Sequence, residues 1–126
     1  MKVWLFTMAG LAFFIIAACL VQSNLERTNR HLNVQLEKAT SALQARQWSQ
    51  SKQALKALDK DWERTRPWWA ILLNHKEIDA IEQAMTRTQK AVESRDFGLA
   101  MVEIGTLKYF LDHIPERERF NPINMF

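Results

Sequence analysis

The chain has 126 residues, 48% of them hydrophobic and 25% charged, with a formal net charge of +3. Acids and bases alternate without any run of Lys or Arg beyond scattered pairs, so the basic stripe that nucleic-acid binding requires is missing. The single cysteine, Cys19, lies inside an apolar leader, which excludes disulfides, CxxC redox chemistry and a thiolate zinc site from the rest of the chain.

Residues 3–21 read VWLFTMAGLAFFIIAACLV, uncharged and interrupted only by Thr7 and Gly10. Nineteen residues in a helix reach roughly 28 Å, close to the hydrocarbon thickness of a bilayer. A cleavable signal peptide has a shorter apolar region and a small-x-small site before polar sequence, whereas here the apolar run continues through Leu20 and Val21. Ile16-Ala17-Ala18-Cys19 resembles a lipoprotein acylation site, which Leu20 and Val21 fit poorly. The expectation is an uncleaved single-pass anchor in a cell membrane. Arg27 and Arg30 after the span favour a cytoplasmic domain by the flanking-charge rule, but Met1-Lys2 before it has the form of an export signal, and the domain is expected outside the cytoplasm.

About 100 residues then remain, enough for one domain with a modest core. Apolar residues recur at the helix period, with no sustained strand-like alternation. The expected fold is all-α: a transmembrane helix followed by an antiparallel bundle of about four helices in two hairpins. Its expected divisions are an anchor over 1–22, a bundle over 23–115 and a tail over 116–126. Leu25, Leu32, Leu36, Ala39 and Leu43 form the first stripe, and Ser23 with Glu26 has capping-box spacing if the chain breaks after the anchor. At Arg46, Gln47 and Trp48 the stripe loses phase, which predicts a turn.

The second stripe is Trp48, Leu55, Leu58 and Trp62, ended by Pro67, which disfavours helix at Arg66 and suits the first turn of the next helix. The third runs through Ile71, Ile78, Ile81, Met85 and Val92. Asp96 caps a fourth, carrying Phe97, Met101, Ile104, Leu107 and Leu111, which Pro115 stops. That helix also has Leu99, Val102, Tyr109 and Phe110 on other faces, so it is either the most buried or offers a surface to a partner. A faint repeat aligns Ala42-Leu43, Arg46, Trp48, Leu55, Leu58 and Trp62 with Ala91-Val92, Arg95, Phe97, Ile104, Leu107 and Leu111 at constant offset.

The stretch RPWWAILLNHKEID, from Arg66 to Asp79, holds most of the residues that chemistry favours. His75, Asp79 and Glu82 share a flank of one helix and, with His113, are the candidate metal ligands. Bundle metal sites use Glu-x-x-His pairs together with acids from several helices, and this chain has no Glu-x-x-His, so a polar row pairing with Arg or Lys across the seam is the simpler account. No glycine-bounded serine, phosphate loop or free thiol outside the leader supports catalysis, and no enzyme activity or cofactor is expected. Trp48 and Trp62 fall on the core stripe. Trp68 and Trp69, beside the proline, are expected to be more open, either capping the bundle or touching lipid headgroups if the domain folds back on the membrane, and are candidates for interaction. The tail ends in Phe120, Ile123, Met125 and Phe126, an apolar cluster expected to pack back on the domain or dock on another protein.

Asn24-Leu25-Glu26, Trp48 with Ala54, Leu55, Leu58 and Trp62, the segment Trp69-Ala70-Ile71-Leu72 with His75 and Glu77-Ile78-Asp79, and His113-Ile114-Pro115-Glu116 with Phe126 carry a resemblance across nearly the whole chain. The sequence resembles a family of short bacterial membrane-associated proteins classified only as a domain of unknown function. That resemblance implies an N-terminal anchor, a helical domain and a gene neighbourhood of small multi-pass membrane proteins. It supplies no activity or catalytic residue, and the acylation-like Cys19 is no part of it. The expected role is a membrane-anchored interaction module accessory to another integral membrane or envelope protein; a metal or small-ligand bundle is the alternative.

Overall fold

The computed structural model describes residues 1–117, with the side chains of Leu72 and of 114–117 outside the description. The chain forms four helices: α1 Lys2–Gln44, α2 Trp48–Leu72, α3 His75–Glu93 and α4 Phe97–Arg117. No strand occurs among the described residues. α1 packs on α2 and α4, and α3 packs on the same two, so the helices close into a ring. Turns of two or three residues make consecutive helices antiparallel. The expected all-α bundle of two hairpins is what forms. The expected tail, with Phe120 and Phe126, lies outside the described residues apart from its first two positions, which end α4.

No break follows the apolar leader. α1 is one helix of 43 residues, about 64 Å long at the α-helical rise. Its most apolar window has a mean hydropathy of 2.4 and no buried residue, which makes it long and apolar enough to cross a membrane. Trp4, Phe6, Phe13, Phe14 and Ile16 are all exposed there. Beyond it only one side is buried: Leu25, Leu32, Leu36, Ala39, Ala42 and Leu43. The same helix therefore changes from apolar on every side to one-sided between Val21 and Leu25, where packing begins. Ser23 and Glu26 have no cap to make, because the turn before them supplies carbonyl partners.

The core follows the predicted stripes. Leu55, Leu58 and Trp62 of α2, Ile78, Ile81, Met85 and Val92 of α3, and Ile104, Leu107 and Leu111 of α4 are buried, with Trp48, Phe97 and Met101 packed at their edge. Three expectations need correction. α2 continues through Pro67 to Leu72. Ile71, assigned to the inward stripe of the next helix, instead lies on α2 and is 76% exposed. Trp69, expected to be open, is completely buried.

One cause underlies all three. An interior proline costs about 3 kcal/mol in a helix, whereas removing a buried tryptophan side chain typically costs roughly 3–5 kcal/mol. Continuing α2 puts Trp69 edge-on against Trp62, with ring centroids 5.4 Å apart at 87°, and seats Leu73 in the core. The burial outweighs the proline. Continuing the α2 register also sends Ile71 to the side opposite Trp69. Pro115 likewise fails to stop its helix, since α4 extends to Arg117.

The break between α2 and α3 is made instead by Asn74. Its extended backbone and its side chain, which accepts the Glu77 N–H at 3.0 Å, cap α3. The α1–α2 turn falls where the phase slip put it, and Asp96 caps α4 by accepting the Leu99 N–H at 3.1 Å. The faint repeat also has a backbone counterpart. In the first turn Arg46 N–H bonds Leu43 C=O and Gln47 N–H bonds Ala42 C=O; in the second, Arg95 bonds Val92 and Asp96 bonds Ala91. Both are Schellman closures with an arginine in the left-handed conformation, at φ 56° and 54°.

A left-handed non-glycine residue is disfavoured by about 1–2 kcal/mol, so Arg95→Gly is expected to stabilise the chain by about 1 kcal/mol in urea denaturation. Arg46→Gly should gain less. Its guanidinium lies 4.1 Å over the Phe97 ring, a contact worth about 0.5–1 kcal/mol at an exposed site. Equal gains for the two variants would show that this contact contributes nothing.

Candidate functional site

The polar row of α3 does not form a cluster. His75 is the first residue of α3 and is exposed, as is Asp79 one turn on. Glu82, partly buried, reaches across to α2, where its Oε1 lies 2.8 Å from Arg66 Nε and accepts the Trp62 indole N–H at 3.2 Å. His113 is on α4, stacked on Tyr109 at 4.1 Å, with Nδ1–H donated to the Tyr109 carbonyl at 2.9 Å. The four candidate ligands are not brought together. Among the described residues no group of three or more His, Cys, Asp or Glu is arranged to hold a metal ion.

Glu82 therefore has a structural task. Trp62 is 2% exposed and its N–H needs an acceptor inside the seam. The neighbouring ion pair is too exposed to add much. The Trp62–Trp69 pair is anchored at its other end by Trp69, whose indole N–H reaches Thr28 Oγ1 at 3.3 Å. Thr28 in turn donates to the carbonyls of Asn24 and Leu25. Trp68 points the other way and is 56% exposed. Of the interaction candidates on α2, Trp68 alone is available at the surface; Trp69 belongs to the core.

A cleft of about 200 Å³ opens between the start of α3 and the end of α4, lined by Asn74, Lys76, Glu77, Ala80, Tyr109, Phe110 and His113. The Asn74 cap fixes the backbone of Glu77 in the first turn of α3. Glu77 Oε2 is nevertheless buried and has no hydrogen-bond partner. Leaving a buried polar atom unsatisfied costs roughly 1–3 kcal/mol. Lys76, Glu77 and three aromatic residues thus line one small opening. The signal for it was present as Asn74-x-x-Glu77, the capping spacing, but the proline rule had assigned that segment to a helix interior.

A further feature is the outer face of α4. Leu99, Val102 and Tyr109 are 47%, 64% and 50% exposed. They share an arc of the helix with Gly98, Gly105, Thr106 and His113, opposite the buried Ala100, Ile104, Leu107 and Leu111. A Cβ added at Gly105 would meet nothing within 4 Å. The chain's own packing gives no reason for glycine there.

Glu82→Ala is expected to destabilise the bundle by about 1–3 kcal/mol, because the Trp62 N–H loses its acceptor. Glu82→Gln keeps the acceptor and should stay within about 1 kcal/mol of the parent, since only the exposed ion pair is lost. Paired denaturant melts of the two variants check this; equal losses would mean that the charge is what counts. No curated protein and no solved structure matches the chain. Residues 19–125 match the family described as a domain of unknown function, DUF4363, and the chain belongs to that family.

Proposed function

We propose that the protein is a single-pass membrane-anchored module of a bacterial cell envelope whose helical bundle, held outside the cytoplasm, binds another integral membrane or envelope protein along α4. It acts by binding, without a cofactor and without catalysis of its own. The apolar first half of α1 is the anchor, and Lys2 ahead of it supports export of the bundle.

The observation that carries this reading is the outer face of α4. Val102, 64% exposed, stands between Leu99 and Tyr109 with no cover among the described residues. Glycine at position 105 lowers helix stability by about 1 kcal/mol relative to alanine when exposed, and the fold does not use its missing side chain. A partner backbone approaching closely would use it. Trp68 and Ile71 form a separate exposed pair at the end of α2, suited to a membrane surface rather than to this face.

Gly105→Leu separates the two roles because it should move them in opposite directions. It is expected to stabilise the isolated protein by about 0.5–1 kcal/mol while releasing the protein that co-purifies with the parent from native membranes in mild detergent. Val102→Glu should release the same protein with stability unchanged within about 0.5 kcal/mol. Recovery of the parent chain alone under these conditions, or retention of its partner by both variants, contradicts the proposal.

A further inference from the structure

We propose that Trp68 and Ile71 form a second membrane contact, seated in the polar layer of the leaflet that α1 leaves, and that this contact makes α1 lean toward α2. The inference deepens the reading of α1 as a bilayer span and rests on it. The occupant of the surface is the lipid headgroup layer.

The two side chains stand on the outer side of α2. Trp69 is turned to α1, where its indole meets Thr28, and in the same helix Ile71 falls roughly opposite it, with Trp68 near a right angle to it. Both are exposed. Among the described residues they are the large apolar side chains exposed nearest to the apolar segment of α1 without belonging to it. Val34 is about 20 Å beyond Val21 along α1, Leu99 and Val102 begin α4 at the bundle's far end, and Tyr109 stands two turns above the end of that helix.

The Trp69–Thr28 bond sets the level of the pair. Thr28 is seven residues past Val21, and in the antiparallel α2 Ile71 is two residues closer to the apolar segment than Trp69, Trp68 one residue farther. At the α-helical rise this places Ile71 about 7–8 Å and Trp68 about 12 Å above Val21. The polar layer of a leaflet is about 5–7 Å deep, so in an upright molecule both stand just above it. The axis of α2 lies about 8–10 Å from that of α1, and the side chain of Ile71 is about 5–6 Å farther out. A lean of about 20° toward that side, the average for membrane helices, therefore lowers Ile71 by about 5 Å, well into the polar layer, and Trp68 by about 3–4 Å, to its outer margin.

Length gives α1 no reason of its own to lean. Upright, residues 3–21 span roughly 28 Å, already no longer than a hydrocarbon core of about 30 Å, and it is an overlong apolar stretch that tilts a helix. The lean must come from another contact. Tryptophan favours the headgroup layer through its amphipathic ring, and Ile71 gains by leaving water. The lean shortens the span by only about 2 Å, which slight thinning of the bilayer absorbs.

Nitrogen-15 spectra of the full chain in aligned phosphatidylcholine bilayers, with no other protein present, read the tilt and its direction from the amides of residues 3–21. The expected result is a tilt of about 20° toward the side of α1 that carries Gly10, Ala17 and Thr28, which share one face of the uninterrupted helix. The double variant Trp68→Ser, Ile71→Ser should bring α1 at least halfway back to upright, with its circular dichroism unchanged because both positions are exposed. Ile71→Leu keeps the apolar surface and should keep the tilt. An upright α1 in the parent, a tilt toward another face, or a tilt that the double variant retains overturns the second contact. Failure of the anchor reading looks different: residues 3–21 then give no aligned transmembrane resonances in any variant, and alkaline carbonate releases the protein from the bilayers.

Discussion

The fold hangs on the burial of Trp69 against α1. That side chain is driven into the seam between Trp62 and Thr28 at the level where α1 stops being apolar on every side. Its burial carries α2 across Pro67, postpones the turn to Asn74, turns Ile71 and Trp68 outward, and brings the start of α3 beside the end of α4. Without it, Pro67 would end α2, and Asn74 and Glu77 would fall inside the following helix rather than at its start. The fixed point also sets the bundle's height over the apolar segment, because α1 is one uninterrupted helix and its rise per residue converts sequence separation into distance.

Much of this was legible in the residues. The stripe Leu25, Leu32, Leu36, Ala39, Leu43 and its loss of phase at Arg46 located the first hairpin, and Asp96 located the second. These features depend on local spacing, which the tertiary fold had no cause to override. The prolines misled for the opposite reason. Their effect on a helix is a few kcal/mol, comparable with what one aromatic side chain gains by burial, so the outcome depends on a partner, Thr28, that is 41 positions away. Asn74-x-x-Glu77 was a competing local signal for the same boundary and proved the better one. Glu82 was visible as a flank residue, but its bond to Trp62 could be found only once α2 and α3 were placed together.

The site is less legible than the fold because its parts come from separate helices. Lys76 and Glu77 look like ordinary solvated charges, and Tyr109, Phe110 and His113 look like the wet side of an amphipathic helix. Only their meeting makes a concave surface with a buried unpartnered oxygen. The outer face of α4 was easier, since Leu99, Val102 and Tyr109 exceed what one buried stripe can absorb. Both features lie on α4, one at its apolar arc and one at the end nearest the apolar segment of α1.

The central claim is that one rigid helix joins a bilayer span to the bundle and fixes the bundle's base in the headgroup layer. Spin labels placed singly at residues 3–32 and at 68 and 71 of the full chain in liposomes test it most directly, by comparing collision with oxygen and with a water-soluble nickel chelate. Uniformly high oxygen access through residue 21, a 3.6-residue period from residue 25 without a break, and intermediate depth at 68 and 71 are the predicted result. Strong nickel access within residues 3–21, a loss of helical period near Ser23, or positions 68 and 71 as wet as the bundle's far turns would contradict it.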